Sequence, residues 1–361
     1  MPWTIPVPIL PDESISSWLA RAALRQGCDP LTLTGSIWPG WRVWTLDIDR
    51  GIPHDRMPAI LKASGLTAND FENIALRQDA ERIAGCVLAE TIAWPWILAL
   101  GSRNRKRRGG QQYCPVCLQE DAKPYFRKKW RFAWYVGCEQ HLTKLVDRCC
   151  ECGAPVEPHR LSAEDGHIAK CARCKTELYK ASPQSIPNSA LALQRMADET
   201  LNNFKGTFGS RFISCPDWFG FAHYFFAVIR IVSRRKTSRL AQAFRLMGLE
   251  IDEEVLPVTG LPLELLSVDE RKVLSEITYH LLKSGSEVII EAFIKAGVTS
   301  TSLRNRKSKL PKIIEEMFSN LSDSEPVLKK RHRKPIMCPR SKKAVMAAWL
   351  RFQRKILAES I

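Results

Sequence analysis

The sequence lacks the features of a membrane or secreted protein. Its most apolar stretch, 86–100, is interrupted by Glu90 and Pro95 and is shorter than the ~20 residues that a membrane-spanning helix needs. The N-terminus shows no basic segment followed by an apolar one, so it does not resemble a secretory signal. We therefore expect a cytoplasmic protein without a membrane partner.

Two common catalytic motifs are also missing. The sequence contains no glycine-rich phosphate loop and no G-x-S-x-G motif, so an ATPase or a serine hydrolase has no support. Acidic residues are few: 38 Asp and Glu stand against 54 Lys and Arg, which gives a formal net charge of +16. Such an excess favours polyanionic partners, nucleic acid above all, because basic side chains neutralise phosphates and release counterions. A basic surface without a dedicated ligand is the alternative.

An amphipathic helix is predicted near the start of the chain. Apolar residues recur there at helical spacing: Ile15, Trp18, Leu19, Ala22 and Ala23. The helix should end near residue 27, and the tryptophan-rich segment 38–44 should be an irregular connection.

Two short helices around Gly65 predict a helix-turn-helix-like unit. Glycine permits the left-handed turn after the first helix, and the segment 67–70 has the pattern of a capping box that starts the second. The second helix carries Asp70 and Glu72 against Arg77, so we favour packing or protein contact over the reading of DNA bases.

Eight cysteine and histidine residues have the spacing of zinc ligands. The first set is C-x2-C, a spacer of 20 residues and C-x2-H; the second is C-x2-C, a spacer of 18 residues and C-x2-C. The predicted ligands are Cys114, Cys117, Cys138 and His141 for one zinc ion, and Cys149, Cys152, Cys171 and Cys174 for the other. Cys150 is the alternative to Cys149, although the spacing to Cys152 favours Cys149. We expect each pair to lie on a tight turn. Glycines at 137 and 153, beside two of the pairs, favour turn-borne zinc knuckles over a ligand pair carried by a helix.

Both predicted sites are closed. Each has four protein ligands and leaves no coordination position for water or substrate, which is typical of structural zinc. A metal-dependent nuclease would also need clustered acids beside the metal, whereas Asp47 and Asp49 are a lone pair far upstream. We expect two structural zinc ions and no catalytic residue.

A second helix-turn-helix is predicted around Gly297, followed by hydroxyl residues and a basic helix. Hydroxyl groups at a helix N-terminus can bind phosphates, and Arg and Asn can read guanine and adenine edges in the major groove. The candidate DNA-binding residues here are Thr299, Ser300, Arg304, Asn305 and Lys307. The alternative is an ordinary helical hairpin with a solvated basic face.

The C-terminal tail concentrates the positive charge. From residue 327 onward there are eleven Lys and Arg and one acid, so the tail supplies ten of the sixteen net charges. Its candidate DNA-binding residues are Lys329, Lys330, Arg331, Arg333 and Lys334. A disordered, solvated tail is the alternative, whereas the aromatic residues of 345–357 favour docking on a partner or on a nucleic-acid backbone. The basic run 103–108 has two interpretations, a solvated linker or a contact with phosphates.

Several of these motifs together resemble the TniQ family. The segment 11–21, Pro-Asp-Glu-Ser-Ile-Ser-Ser-Trp-Leu-Ala-Arg, resembles the N-terminal signature of that family. The segment 113–118, the pair Trp130 and Arg131, and the ligand pairs within 138–141 and 149–153 resemble its zinc region in order and spacing. The resemblance covers about residues 5 to 180.

The resemblance implies a bacterial, transposon-encoded selector of target sites without catalytic activity. Such a protein either binds an attachment site itself, as TnsD-like members do, or links a CRISPR Cascade complex and its guide RNA to the TnsC ATPase. Members bound to Cascade are dimers, so a homodimer is a further expectation. We favour direct binding of duplex DNA, with the Cascade adaptor as the alternative.

The expected fold is mainly α-helical with small β zinc ribbons. At 361 residues the chain is long enough for two or three domains. We predict an N-terminal helical, helix-turn-helix-like domain over 1–112 and tandem zinc ribbons over 113–181. A C-terminal helical domain with the second helix-turn-helix should occupy 182–322, and the basic tail 323–361.

Overall fold

A computed structural model describes most of the chain. The described residues are 2–90, 92–100, 110–233, 238–249, 261–303, 312–319, 321, and seven positions between 341 and 353. Residues 1–323 form one compact unit and residues 324–361 a second. The described part is mainly helical with short strands, which confirms the predicted fold class. None of its helices is long and apolar enough to cross a membrane.

The helices and strands follow the chain in this order: α1 (Ile15–Arg25), α2 (Pro30–Ile37), α3 (Met57–Ser64), α4 (Ala68–Ile74), α5 (Arg77–Ala84), α6 (Pro115–Glu120), β1 (Gly137–Cys138), β2 (Thr143–Lys144), α7 (Asn188–Asn203), β3 (Lys205–Phe208), β4 (Arg211–Ser214), α8 (Cys215–Ser233), α9 (Arg239–Leu246), α10 (Val268–Lys295), α11 (Ser300–Leu303) and α12 (Lys312–Ser319). β1 pairs with β2, and β3 with β4, both antiparallel.

Helix α1 forms as its periodicity predicts. Ser14 caps its start by accepting a hydrogen bond from the backbone N–H of Ser17, and the apolar stripe that includes Trp18 is buried. Helices α3 and α4 also match the prediction. Gly65 ends α3 in the left-handed conformation at φ 73°, and Thr67 and Asp70 form the capping box of α4.

The tryptophan-rich segment belongs to the N-terminal core. Trp38 is buried and donates its indole N–H to the Arg56 carbonyl at 2.8 Å. The preceding helix α2, which the sequence analysis did not predict, starts at Pro30 with Asp29 as its cap. Asp29 accepts a hydrogen bond from the Thr32 N–H at 2.8 Å, so a polar cap and an N1 proline define this start.

A buried ion network joins α1 to the segment just before β1. Asp49 accepts hydrogen bonds from the backbone N–H of Ser16 at 2.6 Å and from its hydroxyl at 2.8 Å, and it forms an ion pair with Arg131. Arg131 also binds Asp47 at 2.7 Å and the Leu98 carbonyl at 2.7 Å. Arg131 and Asp49 are fully buried, and Asp47 nearly so. The predicted N-terminal signature and the Arg131 motif therefore meet in the fold.

The signature also contacts the chain after α6. Glu13 is fully buried and pairs with Arg21 at 2.6 Å. The Ser17 hydroxyl donates to Glu13 at 3.0 Å and accepts from the Phe126 N–H at 2.9 Å. The Ser14 N–H donates to the Phe126 carbonyl at 3.0 Å. These polar contacts fix the α1 N-terminus against the zinc-bearing segment.

One aromatic core crosses the expected domain boundaries. The rings of Trp96, Trp134 and Phe219 pack with centroids 5.1–6.0 Å apart, and they come from the three expected segments within residues 1–322. Arg271 on α10 is fully buried and donates to the carbonyls of Ala133 at 2.7 Å and Tyr135 at 3.1 Å. Burial lowers the pKa of Arg271 to about 10. The segments are thus closely joined, and the boundaries within this unit stay a prediction.

Helix α10 is bent where a hairpin touches it. Gly285 interrupts the helix with φ 77°, and Gly209 in the β3–β4 turn lies against it. A Cβ on Gly209 would lie 2.8 Å from the Gly285 Cα, so the two backbones touch. The Gly209 N–H donates to the Leu282 carbonyl at 2.8 Å. Glycine at both positions therefore allows the hairpin to pack on the bend.

Candidate zinc centres

The first group of predicted ligands converges around one point. His141 Nδ1 lies 3.5 Å from the Cys114 sulfur, 3.3 Å from that of Cys117 and 3.5 Å from that of Cys138. The sulfurs of Cys117 and Cys138 are 3.6 Å apart. The three cysteines are buried, and His141 closes the group on its outer side.

Two local structures present these ligands. The β1–β2 hairpin carries Cys138 at the end of its first strand, and His141 follows in the turn. Cys114 and Cys117 lie instead at the start of α6, where the Cys114 sulfur caps the helix by accepting the Cys117 N–H at 3.4 Å. The expectation that turn-borne knuckles hold every pair is therefore wrong for this pair, because Pro115 at the first helical position favours a helix start.

A carboxylate orients the histidine ligand. His141 directs Nδ1 to the sulfurs, and its Nε2 lies 2.8 Å from a Glu120 carboxylate oxygen. A carboxylate on the second ring nitrogen fixes the tautomer and the ring orientation of a metal-binding histidine. Glu120 lies six residues after Cys114 at the end of α6, and the sequence analysis did not single it out.

The second group is formed by four cysteines. The sulfurs of Cys149 and Cys174 are 3.6 Å apart, as are those of Cys152 and Cys171. Cys149 lies in this group, while Cys150 is exposed and outside it. Hydrogen bonds from Thr176 lower the pKa of Cys174 to about 6, whereas burial raises the pKa of Cys149 to about 12.

The distances within both groups fit zinc. A tetrahedron with Zn–S bonds of ~2.3 Å and Zn–N bonds of ~2.0 Å has ligand-to-ligand edges of roughly 3.5–3.8 Å. The observed 3.3–3.6 Å lies close to these edges, and all ligand atoms of each group fall within 4.8 Å of one another. A disulfide would require ~2.05 Å between sulfurs. Each group can therefore hold one structural zinc ion, as the sequence predicts.

The two ligand sets leave no coordination position at which a bound zinc ion could activate water. Three thiolates with an imidazole, or four thiolates, complete a tetrahedral shell without a water position. The acids considered for a nuclease are engaged elsewhere: Asp47 and Asp49 both bind Arg131. Their carboxylates belong to the buried ion network, a role that the sequence alone does not indicate because Arg131 is more than eighty residues away.

Of the predicted DNA-binding residues, Thr299 and Ser300 lie in the part of the chain that the structure describes. Gly297 ends the preceding helix with φ 65°, and α11 starts at Ser300. Ser300 is buried at 2% exposure and Thr299 is half-buried, so neither presents a fully open hydroxyl. The remaining candidates lie outside the described residues: Arg304, Asn305, Lys307, Lys329, Lys330, Arg331, Arg333 and Lys334. The basic run 103–108 also lies outside them, and these DNA contacts stay a prediction.

Helical packing around two closed cysteine-rich clusters defines a helical protein with two candidate structural zinc sites. Residues 4–145 match the TniQ family, so this part of the chain is a TniQ domain and the predicted resemblance is confirmed. The match contains the whole first cluster and ends before the second. No curated protein matches the chain. Members of the TniQ family are associated with transposition.

Proposed function

We propose that this chain selects target sites for transposition by binding duplex DNA at the target and recruiting the transposon's ATPase, of the TnsC type, and its transposase. The single observation that carries this proposal is the TniQ domain over residues 4–145. The net charge of +16 supports contact with DNA, because phosphate neutralisation supplies much of the binding energy of such proteins. The proposal places the protein in the bacterial cytoplasm.

We further propose that the chain is not an enzyme. Both metal clusters have four protein ligands, so a bound zinc ion would have no position for an attacking water. Arg131 binds both Asp47 and Asp49, so this buried pair is not free to bind a catalytic metal. Cleavage and strand transfer would then be carried out by the partner transposase.

The charge distribution supports direct DNA binding by the C-terminal part of the chain. Ten of the sixteen net positive charges follow residue 327. A dense basic segment binds phosphates with little dependence on base sequence, so it supplies affinity and leaves target choice to other residues. In the sequence, Arg304 and Asn305 are the residues best suited to read bases.

The second candidate function is an adaptor that links a Cascade complex with its guide RNA to the ATPase. One observation favours it: the second helix of the N-terminal pair, α4, carries acids. Asp70 caps this helix through Thr67 and Glu72 is exposed, so α4 would repel phosphates and suits contact with protein. An adaptor of this kind would bind DNA weakly by itself, and a homodimer is part of this alternative.

A salt-dependent DNA titration tests the proposal. The full, zinc-loaded chain is titrated against target and non-target duplexes at several salt concentrations, beside a variant in which the lysines and arginines of 329–334 are glutamine. Direct selection predicts sub-micromolar, sequence-selective binding, and the variant should lose affinity for all duplexes with a shallower salt slope. The control Lys62→Gln/Lys123→Gln changes exposed lysines elsewhere and should bind like the original. Weak binding without sequence preference would favour the adaptor.

A further inference from the structure

The β3–β4 hairpin presents two phenylalanine rings to solvent. Phe204, at the end of α7, is 61% exposed, and Phe212 on β4 is 69% exposed. Most large apolar side chains of a folded chain are at least partly buried, and exposed aromatic rings are enriched where proteins bind partners. Both rings belong to one short hairpin, since Phe204 directly precedes β3 and Phe212 lies on β4.

Phe204 holds an unfavourable backbone conformation. It caps α7 in the left-handed region at φ 60°, where glycine or asparagine is the usual residue. A bulky residue there is strained, and strained residues cluster at functional sites. The Phe204 carbonyl is fixed by a 2.9 Å hydrogen bond from the Cys215 N–H, so the ring is held at a defined place.

A cation accompanies each ring. The Arg82 guanidinium lies 4.3 Å from the centre of the Phe204 ring, and the Lys205 ammonium lies 5.2 Å from that of Phe212. Arg82 is positioned by a 3.1 Å hydrogen bond to the Leu201 carbonyl. Exposed aromatic rings with adjacent cations are the arrangement by which proteins stack bases and neutralise the neighbouring phosphates.

The strand register places Lys205, Thr207 and Phe212 on one face of the hairpin. Thr207 pairs with Phe212, and Lys205 pairs with Ser214, so these four side chains project to the same side of the hairpin. Buried residues hold the hairpin against the core. Phe208 is buried, and the buried Trp218 donates its indole N–H to the Thr207 carbonyl at 3.1 Å. We call this exposed face, together with the neighbouring pair Phe204 and Arg82 at the start of β3, the aromatic–basic face; it comprises Arg82, Phe204, Lys205, Thr207 and Phe212.

We propose that the aromatic–basic face binds single-stranded nucleic acid, with unpaired bases stacked on Phe204 and Phe212 and phosphates neutralised by Arg82 and Lys205. This goes beyond the proposed duplex contact, because a base inside a duplex has no free face for an exposed ring. The chain's net positive charge complements such a ligand. The ligand class follows from the combination of rings and cations, since a purely apolar partner would gain nothing from the cations.

The test is a titration of the full, zinc-loaded chain with an oligo-dT strand and with a duplex of equal length. Phe212→Ala should weaken binding of the single strand by about 5- to 150-fold, the effect expected for the loss of one stacked base. Phe212→Tyr keeps a ring and should bind within a few-fold of the original. Phe204→Asn keeps the left-handed backbone and should weaken binding similarly to Phe212→Ala. Leu31→Ala, at a 56% exposed residue on α2, is the matched control and should have no effect.

Comparing the affinities for the single strand and for the duplex distinguishes this proposal from the proposed contact with duplex DNA at the target. Duplex affinity should stay within about twofold in Phe212→Ala, whether duplex binding itself is strong or weak. Three results would overturn the proposal: no binding of the single strand at low salt, an unchanged affinity in Phe212→Ala, or equal losses for single strand and duplex. Equal losses in Phe212→Tyr and Phe212→Ala would also overturn it, because stacking requires only the ring.

Discussion

Replacing Arg131 by methionine should sharply destabilise the chain. The substitution leaves Asp49 fully buried with only the hydrogen bonds of Ser16 and removes the cation that Asp47 binds at 2.7 Å. Removing one partner of a buried ion pair costs about 3–5 kcal/mol, because the remaining charge stays desolvated. A loss of that size is a large fraction of a stability of roughly 5–15 kcal/mol.

The assay is urea unfolding of the zinc-loaded chain, with a second substitution that isolates the cause. Asp49→Asn removes the buried carboxylate that has lost its cation. Arg131→Met/Asp49→Asn should therefore be more stable than Arg131→Met by at least about 1 kcal/mol. As a control, Arg195→Met breaks an ion pair with Glu139 in which both side chains are exposed, and it should cost less than about 1 kcal/mol.

The stability of Arg131→Met should also depend on pH in a characteristic way. Burial already raises the pKa of Asp49, and loss of the Arg131 charge raises it further. A protein gains stability as the pH falls through the raised folded-state pKa of one of its acids. The loss of unfolding free energy in Arg131→Met should therefore shrink toward acidic pH. A loss below about 1 kcal/mol, or equal stability of the single and double variants, would refute the role assigned to this network.

Two further substitutions test other parts of the fold. Burial raises the pKa of Asp198 to about 6, so the original chain should gain about 1 kcal/mol over Asp198→Asn between pH 7.5 and pH 5 in urea unfolding; parallel pH profiles would contradict this. Gly285→Ala should cost about 2 kcal/mol or more by thermal or urea unfolding, because its Cβ would lie 2.9 Å from the Gly209 Cα at a positive φ. Gly35→Ala, in the open on α2, should instead be neutral or stabilising, and equal effects would argue against the hairpin contact.

Local patterns in the sequence predicted local structure well. The spacing of eight ligands predicted two groups that the fold brings together, because each C-x2-C or C-x2-H pair is confined to one turn or helix start. The apolar period predicted α1, and glycine with a capping box predicted the ends of α3 and α4. No helix is predicted over α2 in the sequence analysis, although Asp29 as the cap and Pro30 at the first helical position form a start signal.

Long-range partners could not be predicted from the sequence. Ser16, Asp49 and Arg131 are dozens of residues apart, and no periodicity links a buried acid to its distant cation. Arg271 has no local pattern that distinguishes it from a surface arginine, yet it is fully buried against backbone carbonyls. The exposure of Phe204 and Phe212 likewise depends on tertiary packing, since an exposed ring and a buried ring have the same sequence symbol.

Metal analysis of the full chain tests the central claim that two closed zinc sites stabilise this protein. The account predicts two zinc ions per chain, one in Cys114→Ser and one in Cys171→Ser, each with local loss of protection from hydrogen exchange around the altered cluster. Cys150→Ser, at an exposed cysteine outside both clusters, should retain two. Fewer than two zinc ions in the unaltered chain under zinc-replete conditions, or unchanged zinc content in either ligand variant, would contradict the account.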